Sequence, residues 1–188
     1  SLRDERDVWV DGEKVNDVTI HPAFKPIVDI RARIYDMAHE TKFNQQLTYI
    51  DENSGESNCI GSKLPKTKSD WLSKRQAIKT IMYEIGAVVT RVGDETVGEM
   101  WSLYDGTDIL NKVDPRFGDN IANHIQKVSE SDTFHVSGNT DPKGDRSKLP
   151  QDRDPDMLLH AVEETDKGIV VRGAKYETAA AYANQAFV

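Results

Sequence analysis

Cysteine is almost missing from this chain. Cys59 stands alone, so no disulfide can form within the chain, and a four-cysteine zinc site is excluded by count. Such usage points to a reducing, cytoplasmic setting. The five histidines (His21, His39, His124, His135 and His160) show no HExxH or other tight ligand spacing, and no metal site is expected. Long hydrophobic runs are also missing. Mean hydropathy is −0.62, and no apolar stretch approaches the length of a membrane span. Positive charge is in deficit, with 24 Lys and Arg against 32 Asp and Glu, a net charge of −8. That balance argues against a nucleic-acid partner, because phosphate binding needs a basic face. Ser1-Leu2 does not resemble a signal peptide, since a basic start followed by an apolar core is lacking. Internal repeats, low-complexity tracts and heptads are absent too.

What is present allows one domain with a real core, or one and a half small ones, in 188 residues. The chain starts without Met and finishes on the apolar Asn184-Gln-Ala-Phe-Val188. Natural termini more often fray in polar residues, so a chain cut from inside a larger protein is expected.

Asp7-Val-Trp-Val10, Asp11-Gly12 and Glu13 to Val18 predict a β-hairpin around a two-residue turn. From Ala23 to about Glu40, Ile27, Ile30, Ile34, Met37 and Ala38 recur at helical spacing, with Pro26 in the first turn. Leu47 to Ile50 and Cys59-Ile60 flank a polar loop and predict a second hairpin. Ser69 or Thr67 then caps a long helix over Asp70 to Arg91, with Leu72, Ile78, Ile81, Met82 and Ile85 on one face. Gly93-Asp94 interrupts it, a helix follows near Thr96 to Leu103, and Asp114-Pro115 starts another through Ile121, Ile125 and Val128. Past Asp132 the pattern changes to β-structure, at Phe134 to Val136, Met157 to Val162 and Gly168 to Arg172. The fold class is α+β, divided as a helical part over 1–132 and the start of a β-domain over 133–188.

Two stretches near the C-terminus carry the most information. Thr140-Asp-Pro-Lys-Gly-Asp-Arg146 packs a Pro, a Gly and four charged groups into seven residues, the composition of a fixed, solvent-facing loop. Gly168-Ile-Val-Val-Arg-Gly-Ala-Lys175 reads as a strand entering a tight corner. A charged loop feeding short β-structure is a common ligand rim. Together with Ser1-Leu-Arg, Asp7-Val-Trp-Val-Asp-Gly12 and His21-Pro22, these motifs in this order resemble the N-terminal part of the 4-hydroxyphenylacetate 3-hydroxylase family, which also holds 4-hydroxybutyryl-CoA dehydratase. The resemblance implies an acyl-CoA dehydrogenase-like architecture, with a helical N-terminal domain, a middle β-domain and a C-terminal helical domain. FAD lies between the domains, often completed by a neighbouring subunit. This chain would hold the helical domain and the first strands of the β-domain, lacking the C-terminal helices.

The resemblance also nominates site residues. Family hydroxylases carry Arg-x-Pro-Asp-Tyr after the long helix, with the Arg and Tyr facing phenol and flavin; here the segment reads Arg91-Val-Gly-Asp-Glu95. Arg91 and Asp94 match, and Glu95 replaces the Tyr. The family's His four residues before the loop's leading Asp falls on Ser137, and His135, two residues earlier and on the same strand face, is the catalytic candidate to take its place. The dehydratase branch needs cluster thiolates at places held here by Val88 and Val92, which cannot ligate iron.

Each candidate has a plainer role beside its catalytic one. Arg91 is a cation over the flavin or an anionic substrate, or caps helix carbonyls. Glu95 is a general base, or a first-turn glutamate favoured by the helix dipole. Asp141, Lys143, Asp145 and Arg146 line the flavin's polar edge, or Asp145 and Arg146 brace the loop as an ion pair. Thr178 falls near the isoalloxazine ring, or is a plain β-former. Cys59 reads as a small buried hydrophobe, and Trp71 and Trp101 as core.

The implied function is the oxygenase component of a two-component monooxygenase. It uses reduced FAD from a partner flavin reductase on an aromatic or phenol-like substrate, in a homo- or hetero-oligomer. The alternatives are a lyase or isomerase acting on an acyl-CoA, and a non-catalytic subunit of a flavoprotein complex.

Overall fold

The computed structural model describes residues 2–88, 95–177 and 179–188. β1 (Val8–Val10) and β2 (Glu13–Val15) form the predicted hairpin, with Val8 opposite Val15. Asp11 and Gly12 turn it at φ 51° and 83°, the paired left-handed geometry that Asp-Gly adopts in two-residue turns. α1 (Lys25–His39) takes Pro26 in its first turn, where the missing N–H has no intrahelical partner to lose. α2 (Asn44–Leu47) leads into β3 (Thr48–Ile50), which pairs antiparallel with β4 (Ser57–Cys59) around the polar loop. A single 3-10 turn, Ile60–Ser62, follows.

α3 (Lys68–Glu84) begins on a capping box: the Thr67 hydroxyl accepts from the Asp70 amide, and the Asp70 carboxylate accepts from the Thr67 amide. It stops seven residues before the predicted Arg91 end. Gly86 and Ala87 take φ of 66° and 54°, and the Ala87 amide donates to the Met82 carbonyl at 2.8 Å, a left-handed helix stop. The predicted interruption at Gly93-Asp94 lies outside the described residues. The inward face of α3 differs as well. Lys74, Ala77 and Ile81 are buried, while Leu72 is exposed. Lys74 holds its core position because its ammonium donates to the carbonyls of Ile60 (2.9 Å) and Gly61 (2.6 Å) and sits 4.0 Å from the Trp101 ring centre. Trp101 is core as predicted, but Trp71 is exposed and meets it edge-on. Cys59 is half-buried rather than buried.

α4 (Glu95–Asp105), the unpredicted single-turn α5 (Thr107–Leu110) and α6 (Arg116–Ser131) complete the helices. Four strands follow: β5 (His135–Ser137), β6 (His160–Thr165), β7 (Gly168–Arg172) and β8 (Gln185–Phe187). β6 and β7, in the stretch where β-structure was expected, pair antiparallel as a hairpin. The apolar C-terminal end is a strand: β8 lies parallel to β5, with Ser137 opposite Phe187.

The main core joins α1, α2, the 3-10 turn and α3 through Met37, Phe43, Leu47, Ile60, Ala77 and Ile81. Met37 and Leu47 are almost fully enclosed, each contributing about 1.5–3 kcal/mol of apolar transfer. A second cluster, Phe134, Val136, Ala179 and Ala183 with Tyr35 and Tyr182, fastens β5 and the C-terminal segment onto α1. Among the described residues, no helix is long and apolar enough to cross a membrane, and no group of three His, Cys, Asp or Glu side chains is placed to hold a metal ion.

Candidate functional site

β5 is where the nominated segments meet. Its alternation sends Val136 into the second core cluster and turns His135 and Ser137 the other way, toward the helices. The His135 ring is edge-on to His124 of α6, 5.6 Å between centres. Ser137 reaches α4 instead: its hydroxyl lies 3.0 Å from Glu99 Oε2 and 3.2 Å from Oε1. Glu99 is one helical turn beyond Glu95, the first residue of α4. Two stretches nominated separately, the segment ending at Glu95 and the strand before the charged loop, are therefore linked by a side chain that the sequence reading did not nominate.

His135 is nearly fully buried and both ring nitrogens are engaged. Nδ1 stands 2.9 Å from the Thr133 carbonyl and Nε2 2.6 Å from the Gln185 side-chain amide. Nδ1 faces an oxygen that only accepts, and so does Nε2, whose Gln185 neighbour is the side-chain Oε1. Beside it, burial holds the His124 imidazole below its ordinary pKa, and the neighbouring His135 and Lys127 act in the same direction.

After Ser137 the chain turns into the loop at Gly138, whose amide donates to the Phe187 carbonyl at 2.7 Å. A Cβ here would stand 2.7 Å from Cγ1 of Val188, the residue after β8, so that side chain would have to shift for anything larger than glycine. Two contacts then pin the loop's first residues. The Tyr176 amide donates to the Thr140 carbonyl at 2.8 Å, and Lys175 Nζ pairs with Asp141 Oδ1 at 2.7 Å. The predicted Asp145–Arg146 ion pair does not form. Asp145 instead accepts from the Ser147 hydroxyl (2.6 Å) and amide (3.0 Å), which hold its carboxyl below the usual carboxylate range. Asp145 thus braces the loop through Ser147, two residues on. Lys143 and Arg146 are exposed and, among the described residues, neither enters an ion pair. Arg91 and Thr178 lie outside the described residues.

Glu99 carried no recognisable sequence signal. It sits in the first half of a helix, where a glutamate is ordinary. Only the packing of α4 on β5 gives it meaning.

Comparison with known proteins places this arrangement. The chain is 31% identical over 169 residues to the oxygenase component of 4-hydroxyphenylacetate 3-monooxygenase from Thermus thermophilus, covering 89% of this chain and 34% of that protein. It is 28% identical, over 89% of its length and 34% of the relative's, to 4-hydroxybutyryl-CoA dehydratase/vinylacetyl-CoA-Delta-isomerase from Clostridium aminobutyricum. The solved oxygenase component of 4-hydroxyphenylacetate 3-monooxygenase in complex with FAD and 4-hydroxyphenylacetate superposes with a TM-score of 0.77, at 31% identity over 89% of this chain and 34% of that one. The α+β, acyl-CoA dehydrogenase-like fold expected from the sequence is the fold of these relatives. The chain spans about a third of the length of the curated relatives it matches. The family model described as 4-hydroxyphenylacetate 3-hydroxylase N terminal matches residues 1–188, and the chain belongs to that family.

Proposed function

We propose that this chain is the N-terminal part of an oxygenase component that uses reduced FAD to hydroxylate an aromatic or phenol-like substrate. The observation that carries the reading is the family match over the whole chain, together with the convergence of α4, β5 and the 140–146 loop on one place. The division into a helical domain over 1–132 and the start of a β-domain over 133–188 belongs to the same proposal. So do completion of the site by a C-terminal part or another chain, a partner flavin reductase, a homo- or hetero-oligomer and a cytoplasmic setting.

The residues present suit a flavin. Lys143 and Arg146 offer exposed cationic donors on a loop whose acids are already occupied, Asp141 by Lys175 and Asp145 by Ser147. When bound, reduced FAD supplies the activation of dioxygen, and the protein supplies orientation, charge placement and exclusion of water. In this reading Lys143 and Arg146 hold the cofactor's polar edge, while Asp141 and Asp145 keep the loop in shape. Thr178 would be a further flavin contact, Arg91 would serve the flavin or an anionic group of the substrate, and Glu95 would be the general base. His135, with both nitrogens engaged, is a positioning residue that fixes β5 against β8.

The test is the absorption spectrum of the complete protein, purified without oxygen with whatever chains accompany it. Flavin bands alone, or a colourless protein that takes up reduced FAD, support the oxygenase. A second reading, an acyl-CoA lyase, draws on the wording of the 140–146 loop and on the dehydratase relative. A broad iron–sulfur shoulder beneath the flavin would establish it and overturn the first.

A further inference from the structure

The main core encloses a cavity of about 60 Å³ whose wall is of two kinds. Its larger part is apolar, supplied by Ile34 and Ala38 of α1, Ala77, Ile78 and Ile81 of α3, and Val128 of α6. Tyr35, Asp132 and Thr133 supply a polar part. The same three residues line an open groove of about 390 Å³ beside α1. They are the shared wall between the core cavity and the groove. Size limits the occupant of the cavity. At about 60 Å³ it offers roughly twice a water molecule's share of liquid volume and much less than the roughly 150 Å³ of a cavity that admits benzene. A phenol or a flavin ring is excluded. Chemistry limits it further, because a buried water needs about two to four polar partners. The polar groups deep in the wall are committed elsewhere. Lys74 donates to the carbonyls of Ile60 and Gly61, at 2.9 and 2.6 Å, and the Ser62 hydroxyl lies 2.8 Å from the Cys59 carbonyl.

From this we infer that the cavity is a binding site for a small apolar molecule, and that in the oxygenase this molecule is dioxygen, admitted from the groove past Tyr35, Asp132 and Thr133. The apolar site stands on the cavity alone, whereas its occupation by dioxygen rests on the function proposed above. Two physical reasons support it. Dioxygen is apolar and diatomic, so it leaves water for an apolar wall as any hydrophobic solute does, and it fits where larger reactants do not. The position suits the reaction as well. Thr133 lines the cavity, and its carbonyl lies 2.9 Å from His135 Nδ1 on β5, the strand on which the candidate site is built. A site that excludes water from its chemistry still has to admit dioxygen, and an apolar chamber at the foot of β5 does both.

Xenon is the probe, an apolar atom that X-rays locate directly. Crystals of the complete protein are pressurised with it, and the expected result is xenon among Ile34, Ala77, Ile81 and Val128. Ala77→Val on α3 and Ala38→Val on α1 each add two methyl groups to the wall and should expel the xenon. Using both keeps the test sound if one of them folds poorly. In the same variants, oxidation of bound reduced FAD by dissolved dioxygen should slow severalfold, while uptake of reduced FAD stays that of the parent. A parent cavity that takes no xenon, or that is filled by ordered water, would overturn the inference. Xenon expelled with flavin oxidation unchanged would overturn the assignment to dioxygen and leave the oxygenase reading intact. A complete protein that holds xenon and takes up no reduced FAD would bring down the oxygenase reading and dioxygen with it, while the apolar site would stand.

Discussion

Ser129 Oγ, on the inner side of α6, lies 2.9 Å from the hydroxyl of Tyr49 on β3. The Ser62 hydroxyl faces both the Cys59 carbonyl at 2.8 Å and Ser129 Oγ at 3.2 Å, and Ser129 is the acceptor in the second contact. Ser129 accepts from Asn58 Nδ2 as well, at 3.2 Å. One hydroxyl thereby joins the β3–β4 hairpin, the 3-10 turn and α6, the helix that backs His135. Ser129→Ala is expected to lower stability by about 1–3 kcal/mol, because Asn58 Nδ2 loses its acceptor and Tyr49 its hydroxyl partner in a buried place. Thermal unfolding of the complete protein checks this. Combined with Tyr49→Phe, the loss should fall short of the sum of the two single changes.

Gly173 closes the corner after β7 at φ 125°. A Cβ there would stand 2.3 Å from the Leu158 carbonyl oxygen, so the backbone itself must give way. Gly173→Ala should cost on the order of 3 kcal/mol and disturb the pairing of Leu158 with Ala174. A variant melting within a degree of the parent would show that the corner relaxes freely.

The capping box at the start of α3 should be worth about 1 kcal/mol, the usual loss when a Thr N-cap becomes Ala. Thr67→Ala tests it by denaturant midpoint. The first hydrogen bond holding Asp70 down comes from Lys63 rather than from Thr67, so the Asp70 carboxyl should stay depressed in that variant.

Asp132 behaves in the opposite sense to Asp70. It ends α6 in the left-handed region at φ 46°, and burial pushes its carboxyl above the usual value, with His39 offsetting part of the rise. An acid raised in the folded state binds its proton more tightly there than in the unfolded chain. Stability is therefore lost as pH rises from about 4, the unfolded value, through the raised folded value. Asp132→Asn tolerates the same backbone and removes the buried charge. It should melt higher than the parent at neutral pH and no higher at pH about 3, where both states of the parent are protonated. Melting curves at the two pH values decide it.

Much of the fold was readable because local chemistry and tertiary packing agree. Asp11-Gly12 demanded its turn, Pro26 marked a helix start, Thr67 capped α3, and Gly173 ended a strand. The misreadings arose where packing overrode pattern. Periodicity carried α3 past Gly86, whose left-handed stop outweighed the apolar residues beyond it. Lys74 occupies a core position that an apolar count assigns to Leu72, because two carbonyls and an indole face satisfy its charge. β8 was invisible as a strand, since its partner β5 lies some 50 residues away and pairs in parallel. The candidate site was legible as two separate stretches. Their meeting through Glu99 is a property of how α4 packs on β5, and nothing local in sequence encodes it.

Oxygen transfer is the central claim, and isotope labelling tests it most directly. The complete protein is given reduced FAD, a phenol that it binds and dioxygen labelled with the heavy isotope, and the aromatic product is weighed by mass spectrometry. The account predicts a hydroxylated ring carrying one labelled oxygen atom. A product without label, or a phenol recovered unchanged while reduced flavin is consumed, would contradict it.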